Sequence, residues 1–244
     1  MSHAPAHRYA VYLAPEGAWW DQGSRWLGRC ADTGAALASE APAAWTAAPR
    51  LYGLHATLKA PLRLAEGSDA AALDQALRSL AARHRPFALR LALRQLRGFL
   101  AWCIADDDTD GRRAIQALAD DAVRALDPLR APATEAELAR RRPERLPEPE
   151  RAMLAQWGYP YAFETFRFHI TLTGMLEDTA LAAAADALAR LSAPLCAQPM
   201  PAGAVSLYVQ PEPGADFLVA RHYGFDGTTR DGAGARFLPA MVAA

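Results

Sequence analysis

The chain contains no asparagine, and only one lysine, Lys59, among its 26 cationic residues. A single compact ammonium among many guanidinium groups marks a position where a point charge is wanted. Cysteine is scarce as well. Cys30, Cys103 and Cys196 are far apart, odd in number and without metal-type spacing, which excludes a disulfide framework and a cysteine zinc site. No eighteen apolar residues run together, and no basic segment followed by an apolar run and cleavage site opens the chain. The expectation is therefore a cytoplasmic protein without a membrane partner. An excess of charge of one sign is also missing. With a net charge of −1, the chain has no electrostatic footprint for long nucleic acid, although locally placed cations leave small anions open as ligands.

What is present is ordinary globular material, 244 residues with 52% hydrophobic and 22% charged, enough to bury a sizeable core. Within it one short pattern occurs twice, as Leu54-His55-Ala56-Thr57-Leu58-Lys59 and as Phe168-His169-Ile170-Thr171-Leu172-Thr173. Each copy alternates polar and apolar residues, the period of a half-buried strand. Strand parity puts His55, Thr57 and Lys59 on one face, and Arg167, His169, Thr171 and Thr173 on one face of the second copy. A histidine, a hydroxyl and a cation in a row invite an anion.

Read in order, Arg8 to Leu13 is a strand and Trp19 to Ala31 a short helix with core tryptophans. An Ala- and Pro-rich loop over 35–49 precedes the first motif strand, which Pro61 ends. Ser68 and Asp69 cap a helix over 70–84, with Leu73, Leu77 and Leu80 at helical spacing. Strands follow over 87–93 and 99–105. The acids of 106–110 imitate a calcium loop, but Ala117 stands where a bidentate glutamate is required, so they read as the cap of a helix over 109–126. Residues 127–161 form an excursion in which Arg140, Arg141 and Arg142 alternate with glutamates, a solvated helical face. Its end, Trp157 to Tyr161, is a candidate wall of the site. A helix over 179–191 and strands over 205–209 and 217–223 complete the chain. The order of elements repeats, so the expected fold is α+β: one bilobal domain, 1–244, with approximate repeats 8–97 and 98–223. Two antiparallel-rich sheets flanked by helices would meet at a central cleft.

Two histidines across a cleft suit acid–base chemistry at phosphorus, because each imidazole titrates near neutral pH. Thr57 and Thr171 would donate to phosphoryl oxygens, and Lys59 and Arg167 would hold the negative charge. No metal and no cofactor is required. Neither a Gly-x-Ser-x-Gly nucleophile nor a motif-borne cysteine is present.

These residues carry a resemblance. The paired His55-Ala56-Thr57-Leu58 and His169-Ile170-Thr171-Leu172 resemble the two-histidine phosphoesterase superfamily. Arg8-Tyr9-Ala10-Val11-Tyr12, His55 to Pro61 and Phe166 to Gly174 are similar to a branch found with bacterial phosphonate-utilisation operons. The resemblance implies a bilobal fold, catalytic His55 and His169, and phosphate-binding Thr57 and Thr171, with Tyr12 a further candidate in the first strand. It implies hydrolysis of a small cyclic phosphodiester, such as a ribosyl 1,2-cyclic phosphate that carries a 5-phosphate. An RNA-end 2′,3′-cyclic phosphodiesterase or 2′–5′ ligase-like enzyme is the alternative, and a non-catalytic phosphate-binding module a third. The residues do not say which histidine is acid; the assignment carried forward is His169 as base toward water and His55 as acid.

Overall fold

Alternation dominates β1 (Arg8–Leu13), where Tyr9, Val11 and Leu13 enter the main core while Ala10 and Tyr12 join a smaller cluster with Tyr208 and Phe217. A strand buried on both faces belongs inside a sheet. In the computed structural model, which describes residues 5–240, β1 pairs with β2 (Ala56–Leu62) on one side and β8 (Ala204–Gln210) on the other. The ends of the expected 1–244 domain, residues 1–4 and 241–244, lie outside the described residues.

The full sheet has eight antiparallel strands in the order β10-β9-β8-β1-β2-β6-β5-β4. Its other members are β4 (Leu91–Leu96), β5 (Phe99–Ile104), β6 (His169–Thr171), β9 (Leu218–Gly224) and β10 (Thr229–Asp231). A two-stranded sheet joins β3 (Phe87–Leu89) to β7 (Met200–Ala202). From β1 to β4 the chain runs strand, two helices, strand, helix, short strand, strand, and from β5 to β8 the same succession runs with three α-helices between its first two strands. The final strand of each run pairs with the first strand of the other, β8 with β1 and β4 with β5.

The helices are α1 (Ala18–Leu27), α2 (Ala43–Arg50), α3 (Ala70–Ala81), α4 (Thr109–Leu126), α5 (Glu135–Arg141), α6 (Glu148–Trp157) and α7 (Asp178–Cys196). Leu73, Leu77 and Leu80 of α3, Ile115 and Leu118 of α4, and Leu181 and Leu188 of α7 bury with Val11, Leu58, Trp102 and Ile170 of the sheet. Each fully buried leucine contributes about 2 kcal/mol of transfer free energy. Asp69 caps α3 by accepting from the Ala72 amide at 2.8 Å, and Asp108 caps α4 through Gly111 at 3.0 Å, the role expected for those acids.

Four local expectations need correction. The segment 35–49 contains α2, because alanines sustain a helix even with Pro49 in its last turn. The strand over 87–93 is broken at Arg90, whose amide leaves the ladder to donate to Asp108 Oδ2 at 2.7 Å. Pro61 does not end β2, which runs on to Leu62. The second motif strand keeps only three residues as β6. Among the described residues no helix is long and apolar enough to cross a membrane.

Candidate active site

The two motif strands are neighbours in the sheet, and Ala56 lies opposite Ile170. Counting outward in an antiparallel pair sets His55 beside Thr171 and Thr57 beside His169. Ala56 and Ile170 are buried in the core, so the four polar residues share the other face of the sheet. They line one cavity of about 420 Å³, together with Tyr12, Tyr52, Phe99, Tyr159, Arg8 and Arg141.

Both imidazoles are held alike. Nδ1 of His55 is 2.8 Å from the Gly53 carbonyl, and Nδ1 of His169 is 2.8 Å from the Arg167 carbonyl. A carbonyl only accepts, so each Nδ1 carries the proton and the neutral ring keeps a basic Nε2. Neither Nε2 has a hydrogen-bond partner among the described residues. Tyr12 stacks on His55 with ring centroids 3.9 Å apart and 26° between planes, which fixes the ring from its other side. Burial pushes the His55 imidazolium down to about 4, only partly opposed by the Gly53 carbonyl, and the neighbouring His169 lowers it further. His169 is also lowered, chiefly by burial and against its hydrogen bond to Arg167.

Tyr159 reaches the Thr57 hydroxyl from the end of the excursion, as expected of a wall, and burial raises its phenol to about 12. Arg141 stands over the Tyr159 ring at 5.2 Å. Thr173, also at the cavity, spends its hydroxyl on the Leu100 amide at 3.0 Å.

Two expected members are not at the cavity. Between Val11↔Lys59 and Tyr12↔Thr57 the register slips by one residue, a β-bulge that reverses strand parity. Ala60 therefore takes the cavity side, Pro61 joins it at a second slip between Tyr9↔Leu62 and Val11↔Lys59, and Lys59 turns toward the end of α4. There it is 2% exposed, with Nζ 2.7 Å from Asp127 Oδ1. Strand parity failed for Arg167 for another reason: it precedes β6, and its guanidinium folds onto the Glu164 and Phe166 carbonyls at 3.1 and 2.7 Å. Its contribution is the carbonyl that orients His169.

Conversely, Arg8 and Arg141 were not among the expected site residues. Arg8 opens β1 and passes for a strand-end charge. Arg141 belongs by its sequence to a solvated face, and its alternation with glutamates gives no sign that α5 turns it inward. Among the described residues no cluster of three His, Cys, Asp or Glu side chains is placed to hold a metal ion.

Fold and cavity together define an antiparallel α+β protein that presents a matched pair of imidazoles on the sheet face opposite α3, α4 and α7. The chain belongs to the family described as a protein of unknown function, DUF1045, whose profile matches residues 57–218. It is similar to two bacterial proteins named ribose 1,5-bisphosphate phosphokinase PhnN. One, from Laribacter hongkongensis, is 40% identical over 230 residues, covering 88% of this chain and 51% of that protein. The other, from Janthinobacterium sp., is 36% identical over 243 residues, covering 90% of this chain and 51% of that protein. The chain thus spans about half the length of these relatives. A structure of Kluyveromyces marxianus Usb1 overlaps 88% of this chain and 98% of its own, at 10% identity and a TM-score of 0.35, too distant a likeness to define a shared fold.

Proposed function

We propose that the chain is a phosphodiesterase of the two-histidine type, built as one bilobal unit from repeats 8–97 and 98–223, that opens a small cyclic phosphodiester. The observation that carries this reading is the matched pair of imidazoles. Each is tied at Nδ1 to the carbonyl two residues before it, each keeps Nε2 unclaimed among the described residues, and each has a threonine two residues on at the same cavity.

Water attacks phosphorus while one Nε2 takes its proton; the ring P–O bond breaks, and the second imidazolium protonates the departing oxygen. The products are a phosphomonoester and a free hydroxyl. His55, which burial keeps neutral, is the base, and His169 the acid, the reverse of the assignment carried from the sequence. Thr57 and Thr171 donate to the non-bridging oxygens, and Arg8 and Arg141 supply the positive charge once assigned to Lys59.

The relatives' name concerns a ribose bisphosphate, which favours a ribosyl 1,2-cyclic phosphate and a place in phosphonate catabolism. A kinase reaction of the P-loop kind has no support in this half. The phosphate cradle G-x-x-x-x-G-K-[ST] needs a lysine after a glycine-rich loop, and the one lysine here follows Leu58 inside β2.

Phosphorus NMR tests the reading with three substrates: a ribosyl 1,2-cyclic phosphate, a nucleoside 2′,3′-cyclic phosphate and a linear diester, each in excess chelator. Conversion of a cyclic resonance to a monoester by the wild type, and not by His55→Ala or His169→Ala, is the expected result. No conversion of any of the three at high protein concentration refutes the reading and favours a phosphate-binding module.

A further inference from the structure

Arg29 follows the end of α1, is 2% exposed and does not line the histidine cavity. Its guanidinium spans two segments that are distant in sequence. Nε donates to the Arg50 carbonyl at 3.2 Å, and Nη2 donates to the Leu51 carbonyl at 3.3 Å and to the Phe217 carbonyl at 2.5 Å. Asp216 Oδ2 lies 3.3 Å from Nε and supplies the counter-charge. Arg50 ends α2 and Leu51 follows it, so both carbonyls are among those a helix leaves without an internal partner. The Gly53 amide also donates to the Arg50 carbonyl at 3.1 Å, and the Phe217 amide to the Leu51 carbonyl at 2.8 Å. Arg29 is the charged donor that joins these bonds into one knot. For stability alone an apolar side chain serves such a site as well, without burying a charge, and Nη1 has no partner among the described residues. What the guanidinium fork adds is simultaneous reach to both segments.

The segment so held leads directly into His55. Gly53, at φ 76°, offers the carbonyl that accepts from Nδ1 at 2.8 Å, and the Leu54 carbonyl accepts from Tyr208 Oη at 3.0 Å. Tyr52 lines the cavity and stacks on Phe217, with ring centroids 5.1 Å apart and 22° between planes. If the turn over 50–53 shifts, the Gly53 carbonyl moves with it, and the ring is free to exchange tautomers, which takes the basic nitrogen off Nε2. The second histidine shows the same device at shorter range. The Arg167 guanidinium grips the Glu164 and Phe166 carbonyls, in the stretch whose next carbonyl holds His169.

We propose that Arg29 is a positioning residue for His55: by clamping residues 50–51 to Phe217 it fixes the Gly53 carbonyl, which keeps the proton on Nδ1 and leaves Nε2 as the base. This rests on reading the histidine cavity as the diesterase site.

Arg29→Lys and Arg29→Met test the assignment on whichever cyclic diester the wild type converts. Lysine keeps a charge for Asp216 but has no fork to span the Arg50, Leu51 and Phe217 carbonyls together. Both variants should lower kcat by roughly tenfold or more, with KM within about twofold of wild type and circular dichroism unchanged. Where Arg29→Met does not fold, Arg29→Lys decides. Long-range proton–nitrogen NMR should show wild-type His55 protonated at Nδ1, and both tautomers of His55 in Arg29→Lys, with the His169 signals unmoved. Added to His55→Ala, Arg29→Lys should change the residual rate by less than about twofold, because the group it serves is gone. Wild-type kcat in Arg29→Lys, a single unaltered His55 tautomer, or a full further loss in the His55→Ala background overturns the proposal. If no cyclic diester is converted, the diesterase reading falls, and the His55 tautomer still decides what Arg29 does.

Discussion

Lys59 and Asp127 offer a test of the strand bulge itself. Nζ lies 2.7 Å from Oδ1, with the two side chains 3% and 21% exposed. Asp127 also accepts from Arg130 Nε at 2.8 Å and Nη2 at 3.4 Å, whereas Asp127 is the one hydrogen-bond partner of the ammonium among the described residues. Removing either partner is therefore not equivalent. Lys59→Met leaves the carboxylate with Arg130 and keeps an apolar stem in the core, a loss of about 1–2 kcal/mol. Asp127→Asn leaves a buried ammonium beside a guanidinium with no counter-charge, a loss of about 3–5 kcal/mol. The double variant removes the buried ammonium and leaves only Arg130 without its carboxylate, still donating to the Gln156 carbonyl, so it should recover part of the larger loss and close a double-mutant cycle for the pair. Urea unfolding gives the stabilities and phosphorus NMR the turnover. Lys59→Met should keep turnover within a few-fold of wild type. Unchanged stability with a hundredfold loss of turnover would instead put the ammonium at the phosphate and refute the bulge.

His55→Ala and His169→Ala should each lower kcat by roughly 10²–10⁴, the usual span for a positioned acid or base, with circular dichroism unchanged. Stability should fall as pH drops from about 6.5 toward 4, because the unfolded chain takes up a proton at His55 that the native site refuses until about 4. The loss approaches about 3 kcal/mol, and urea midpoints of His55→Gln should be flatter across that window. Gly53 has φ of 76°, and a Cβ there would sit 2.5 Å from the Ala31 Cβ, so Gly53→Ala should cost about 1–3 kcal/mol. Since its carbonyl holds His55, the same change should lower kcat several-fold and shift the His55 ring-proton resonance; a variant with wild-type kcat would detach that carbonyl from catalysis.

Periodicity made β1, α3, α4, β8 and most of β9 legible, because alternation or leucine spacing coincides with burial in each. The histidine pair was legible for the same reason: Leu54, Ala56, Phe168 and Ile170 are core residues, so the residues between them face outward. Parity misled at Lys59, since nothing in Thr57-Leu58-Lys59 signals an inserted residue; only pairing with β1 reveals it. Arg141 eluded the sequence reading because its partner is the Tyr159 ring, reached through tertiary packing of the excursion rather than by helical spacing. The α2 helix was hidden by prolines at its ends, where they do little harm.

The exchange of strands between the two runs has a kinetic consequence during synthesis. Tyr9 has Val209 as its ladder partner, 200 residues later, so the inner strand of the sheet waits, half-paired, for nearly the whole chain. At about 5–20 residues per second, that wait lasts roughly 10–40 s on the ribosome. The β4–β5 hairpin and α4 are local and complete early. Closing β8 onto β1 is the late step, and through it Tyr12, and with it the platform beneath His55, acquires its final seat.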